Sequence, residues 1–223
     1  MLSDGAMLNL LRLVSPSLPV GTFSYSRGLE TAIARGLVHD EASAQDWILG
    51  TLEHFYALLD GALFWRMMAA LTAEDRAGFL RHDAWLRASR ESGELQLEDL
   101  RMGKALMRLL SDLDVAPVKD YAGRDLSYPA AFALAARHWN IAEKPALRGL
   151  MWSVLESQVG AAMRLVPLGQ TAGQRIMIEG IGTIERGAAQ AERLADDEIG
   201  NAAIGMAMAS AWHEVQYTRL FRS

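Results

Sequence analysis

Apolar residues recur along most of this chain at spacings of three and four, and the elements this pattern predicts are helices. Leu8 with Leu11, and Leu10 with Val14, mark the first. Leu29, Ile33 and Leu37 mark a second, with Gly36 suited to its end. Residues 47–71 form one long apolar-rich stretch, with a bend expected near Gly61. Thr72-Ala73-Glu74-Asp75 reads as a helix start, a hydroxyl cap with an acid three residues on. The helix after it should turn Phe79, Trp85 and Leu86 inward. Residues 94–113 predict another, with Leu95, Met102, Leu106 and Leu109 inside. Residues 115–127 hold Pro117, Gly123 and two aspartates and read as a loop.

Pro129 and Pro145 fall where new helices should begin, since proline suits a first helical turn. A helix over residues 147–166 should break at Pro167-Leu168-Gly169, resume near Thr171 and run to about Gln190. A last one is expected over residues 199–212. Ile176-Met177-Ile178 is too short a strand signal to support a sheet. The expected architecture is all-α, a single-domain helical bundle over residues 1–223 with no internal repeat.

Composition narrows the function classes. With 51% apolar and 22% charged residues, the chain can fold around a sizeable core. Its greasiest run, residues 55–71, is interrupted by Asp60 and Arg66, too soon for a membrane span. No basic region followed by an apolar run opens the sequence, so no secretory leader is expected. There is no cysteine, which removes disulfides, thiolate metal sites and cysteine nucleophiles and suits a cytoplasmic setting. A net charge of −5 without a basic stripe gives no footprint for nucleic acid.

Motifs for chemistry are missing. Gly103-Lys104 is followed by alanine and lacks the earlier glycine of a phosphate loop. Gly180-Ile181-Gly182 lacks the third glycine and the preceding strand of a dinucleotide site. No catalytic residue and no cofactor is expected. His39, His54, His82, His138 and His213 never fall three or four apart, so no helix presents a histidine pair to a metal. Each is read as a hydrogen-bonded core or surface residue. Glu91, Glu94 and Glu98 share a helical face, and Arg87 and Arg90 precede the first two by four residues. That spacing favours a solvated, salt-bridged face over an acid–base pair. Met102, Met151, Met163 and Met206 sit at core spacing.

Two segments stand apart. Residues 15–30, SPSLPVGTFSYSRGLE, interrupt the helices with two prolines and a glycine and then group Phe23, Ser24, Tyr25 and Ser26. They read either as a connector whose aromatics plug the core or as a binding loop. The tail, residues 213–223, gathers Tyr217, Leu220 and Phe221 with Arg219 and Arg222. It packs on its own bundle or meets a partner, since tyrosine and arginine are enriched in binding hot spots.

The first of these segments resembles the N-terminal signature of the UreF family of urease accessory proteins. Residues 88–106 (ASRESGELQLEDLRMGKAL), 164–175 (RLVPLGQTAGQR) and 213–223 (HEVQYTRLFRS) resemble the same family in the same order. By matching position, the resemblance singles out Pro19, Gly21, Phe23, Ser24, Tyr25, Gly28 and Glu30. It adds Arg90, Glu91, Glu94, Met102 and Gly103 in the middle. From the third motif come Arg164, Pro167, Leu168, Gly169, Gln170 and Gln174. The tail contributes His213, Glu214, Gln216, Tyr217, Arg219, Leu220, Phe221 and Arg222. Thr22, Trp212 and Lys104 depart from the usual pattern.

The resemblance implies an all-helical, dimeric, cytoplasmic chaperone or scaffold without catalysis of its own. It implies partners too: a UreD/UreH-type accessory protein, the UreG GTPase and apo-urease, into which the assembly inserts nickel. Its partner-binding parts would be an N-terminal segment of about residues 1–26 and the tail. The expected contacts are Phe23, Ser24, Tyr25, Glu30, Arg164, Gln170, Gln216, Tyr217, Arg219, Leu220, Phe221 and Arg222. An alternative is activation of UreG in trans, with Glu30 and Arg164 as candidate groups.

Overall fold

The computed structural model describes residues 2–223; Met1, where the expected N-terminal segment begins, lies outside them. Among the described residues every regular element is helical. They are α1 (Asp4–Val14), α2 (Leu29–Ala34), α3 (Glu41–Thr51), α4 (Ala62–Thr72), α5 (Arg76–Ala88), α6 (Gly93–Asp112), α7 (Ala116–Lys119), α8 (Tyr128–His138), α9 (Glu143–Leu165), α10 (Gln170–Arg193) and α11 (Ile204–His213). None is long and apolar enough to cross a membrane.

At the centre lies α8. Every residue from Tyr128 to Ala136 is buried, as an all-apolar helix requires. Against it pack α4, α6 and α9. Outside them, α9 and α10 run antiparallel in close contact. Gly180 makes this possible: a Cβ there would lie 2.3 Å from Leu155 Cδ2. Burial is also what separates the two pairs in α1. Leu10 and Val14 pack inward, whereas Leu8 and Leu11 are 63% and 57% exposed.

The long apolar stretch stays helical through Gly61, which keeps right-handed dihedrals (φ −64°, ψ −46°). Between α3 and α4, residues Leu52–Gly61 wind as a π-helix, and Phe55, Tyr56, Leu59 and Asp60 are buried. Thr72 does not cap a helix. It ends α4, and Asp75 caps α5 by accepting a hydrogen bond from Gly78 N at 2.8 Å. Glu74 between them takes a positive φ of 56° to make the turn. A short helix, α7, sits inside the expected loop, with Pro117 in its first turn. The last helix starts five residues late, at Ile204; a single 3₁₀ turn, Asp196–Glu198, precedes the non-helical residues 199–203.

The expected solvated acidic face is the main correction. α6 begins only at Gly93, so Arg87, Arg90 and Glu91 do not share a helix with Glu94 and Glu98. Arg87 pairs with Asp83. Arg90 is buried and grips Asp60 with two hydrogen bonds of 2.8 Å, and it reaches Asp99 Oδ2 at 3.2 Å. Asp99 Oδ1 in turn accepts from Tyr128 N, and Asp83 Oδ1 accepts from Ser127 N, both at 2.9 Å. These carboxylates meet backbone donors that the start of α8 leaves without an intrahelical acceptor, where the helix dipole also favours negative charge. Burial disfavours the Arg90 charge, but Asp60 and Asp99 outweigh it and hold the guanidinium protonated. At Asp60 burial dominates and pushes the carboxyl up, with Arg90 opposing.

Two stability outcomes are expected. Replacing Arg90 by Met leaves Asp60 and Asp99 buried without their counter-charge and should cost about 3–5 kcal/mol, read as a lowered urea midpoint. Asp75→Ala should cost about 0.5–2 kcal/mol as the loss of a true cap, whereas Thr72→Ala should cost less than Asp75→Ala by the same measurement.

Candidate partner-binding site

The signature leaves α1 at Ser15 and buries Leu18 and Val20 while Pro16 and Pro19 stay outside. Gly21, at φ 80°, turns the chain into a short 3₁₀ helix, Thr22–Ser24. Phe23 is exposed at its tip, and Tyr25 is buried just beyond. Gly28 then starts α2, also at φ 80°, and a Cβ there would come within 2.8 Å of Ser210 N in α11. Only glycine meets both demands. The close approach brings the end of α11 and everything after it against the signature.

The tail docks there. Ser26 N and Arg27 N donate to the Ser223 main-chain oxygen at 2.7 and 3.1 Å, and Arg222 N donates to Ser24 O at 2.8 Å. Leu220 N and Phe221 N donate to the two carboxylate oxygens of Glu30 at 2.6 and 2.9 Å. Phe221 is buried under the Arg164 guanidinium, which stands 4.7 Å from its ring centre. Arg164 Nη2 also donates to Phe23 O at 3.1 Å. Thr31 Oγ1 donates to Gln216 Oε1 at 2.8 Å.

Beneath this contact lies a line of buried ionic groups. Arg27, at a left-handed φ of 54°, sends Nε to Glu98 Oε1 at 2.6 Å. Glu98 Oε2 accepts from Ser223 Oγ at 2.9 Å. Burial works against the Arg27 charge, and Glu98, Tyr56 and Asp60 together more than offset it. His213, fully buried at the end of α11, stands with Nδ1 2.7 Å from Glu94 Oε2 and Nε2 3.2 Å from Glu30 Oε2. Arg219 Nη1 donates to Glu94 Oε1 at 2.9 Å.

The structure thus brings together Phe23, Ser24, Tyr25, Glu30, Arg164, Gln216, Arg219, Leu220, Phe221 and Arg222. Glu30, Tyr25 and Phe221 lie within the contact, whereas Phe23, Leu220 and the fully exposed Tyr217 face solvent. Gln170 stands apart, exposed at the first position of α10 and without a hydrogen bond to this cluster among the described residues. Sequence reading missed Arg27, Glu98 and Asp60 as partners in the site's foundation. One signal was available: Asp60 is a lone carboxylate in the greasiest run of the chain. No group of three or more His, Asp or Glu among the described residues is arranged to hold a metal ion.

Comparison of the sequence with known proteins gives the family. The family model described as UreF matches residues 38–179. The chain is similar to urease accessory protein UreF 2 of Brucella anthropi, 62% identical over 218 residues that cover 97% of this chain and 96% of that one. It is also similar to urease accessory protein UreF of Alkalilimnicola ehrlichii, 41% identical over 98% of this chain and 96% of the relative. The protein of the same name in Microcystis aeruginosa is 39% identical over the whole of both chains. The Microcystis aeruginosa alignment takes in both docked segments, and the chain belongs to the UreF family of urease accessory proteins.

Proposed function

We propose that this chain is a non-catalytic cytoplasmic scaffold that bridges a UreD/UreH-type protein and the UreG GTPase while nickel, the cargo of the assembly, enters apo-urease. The observation that carries this reading is the fused surface of signature and tail. It is braced from within by buried ion pairs, yet it leaves Phe23, Tyr217 and Leu220 exposed beside Arg164, Arg219 and Arg222. Exposed aromatic and arginine side chains on a rigid support are what a hot spot needs.

The buried cluster of titrating groups encloses too small a cavity to act on a metabolite. The cavity whose walls include Arg27, Tyr56, Asp60, Arg90 and Tyr128, all with shifted titration, measures about 40 Å³. That holds a water or two and no substrate. For activation of UreG in trans, both oxygens of Glu30 are already engaged inside the chain, and Arg164 is the candidate left facing solvent.

A second copy of the chain fits the opposite requirement, an apolar face in need of cover. Leu11 and Ile181, both exposed, line a groove of about 500 Å³ together with Trp152, and Arg148 and Glu185 sit on its walls. Neither of these charges has a salt-bridge partner among the described residues. A two-fold copy would set each Arg148 against the other chain's Glu185 while covering the leucine and isoleucine.

Two measurements test the scheme. Tyr217→Ala combined with Leu220→Asp should weaken co-purification with the UreD/UreH-type protein at least tenfold while the thermal midpoint stays put; undiminished capture would sink the tail surface. Leu11→Glu combined with Ile181→Glu should halve the mass found by light scattering, and an unchanged mass would remove this face from the dimer.

A further inference from the structure

We propose that His213 is a proton-operated latch: its doubly protonated ring holds residues 214–223 against the signature, and loss of one ring proton loosens that hold. The reading rests on hydrogen-bond supply and goes beyond the scaffold role. Both ring nitrogens face carboxylate oxygens, Nδ1 towards Glu94 and Nε2 towards Glu30, and the ring is closed to solvent. A neutral imidazole carries one N–H. Its other nitrogen would then turn a lone pair towards a carboxylate at hydrogen-bond distance, with no water to intervene. Two donated bonds need two ring protons.

The same two carboxylates grip the tail. Glu30 also accepts from Leu220 N and Phe221 N, and Glu94 also accepts from Arg219. The charged groups around the ring are therefore Glu30 from α2, Glu94 from α6, Arg219 from the tail through Glu94, and Glu214 beside it. Glu214 is turned away, accepting from Gly93 N at 2.8 Å. The imidazolium is the positive charge that bridges the two carboxylates, whereas Arg219 reaches Glu94 alone. When it goes, Glu94 keeps Arg219 but Glu30 is left without a counter-charge and beside Glu94, and it must rehydrate at the expense of the Leu220 and Phe221 amides. The sign follows: the latch is closed while His213 is protonated and opens as rising pH removes that proton.

The test is NMR on the intact chain. Ring ¹⁵N shifts report the protonation of His213, and amide exchange at Leu220 and Phe221, corrected for the intrinsic pH dependence, reports docking. Both are followed across the range in which imidazoles titrate. Protection of the two amides should fall at least tenfold with the same midpoint as the ring. Glu94→Gln removes one of the charges that favour the protonated ring and should move both midpoints down together. His213→Gln should make amide protection independent of pH. Protection that stays constant while the ring titrates overturns the proposal. So does a fall in protection at a pH where the ring does not change, or a ring that shows no titration in the range. The Glu94→Gln comparison decides the matter even if His213→Gln does not fold.

Discussion

Charge taken out of water must be answered inside the protein, and one end of this bundle is organised around that demand. Arg90 answers Asp60 and Asp99, Arg27 answers Glu98, and His213 stands between Glu30 and Glu94. Apart from Arg90–Asp99, these pairs join elements well separated in sequence: the π segment to the α5–α6 turn, the signature to α6, and the end of α11 to α2 and α6. Apolar packing alone would let these elements slide, because dispersion has no direction. The carboxylates do not allow it, since a small displacement leaves a buried ion unpaired at a cost of several kcal/mol. The geometry of the surface above is set by the charges below.

Much of the fold was legible because it rests on local rules. Proline at the starts of α8 and α9, the break at Pro167-Leu168-Gly169, and the inward faces of α5 and α6 follow from periodicity and backbone restriction. The errors share a cause. Thr72 offered a better capping pattern than Asp75, but α4 continued through Thr72 because its apolar face was still being buried. Arg90 and Glu94 had the spacing of an exposed helical pair, but the chain leaves the helical path between Ser89 and Ser92. Spacing predicts a contact only where the helix is continuous, and the break was set by tertiary packing.

The site was legible in a different way. The residues of the signature and the tail carried a family pattern, yet nothing in their local sequence said that they meet. Gly28 is the residue that joins them: its positive φ and missing Cβ let α11 lie against the start of α2. Glu30 then finds its acceptors' partners in backbone amides from Leu220 and Phe221, groups with no side-chain signature. A contact made through main-chain donors leaves little trace in the residue types on either side. The stretch matched by the family model, residues 38–179, contains neither segment, so the matched core acts as the frame on which two flanking pieces are assembled.

The hydrogen bond from Ser26 to Ser223 spans 197 positions. During synthesis the ribosome delivers the signature before its counterpart, with an interval of about 10–40 s between them at typical elongation rates of ~5–20 residues per second. Throughout that interval Glu30 lacks the Leu220 and Phe221 amides that it later accepts from. A surface assembled from both segments cannot exist before the second of them is made, so it forms only after the helices between them have been synthesised.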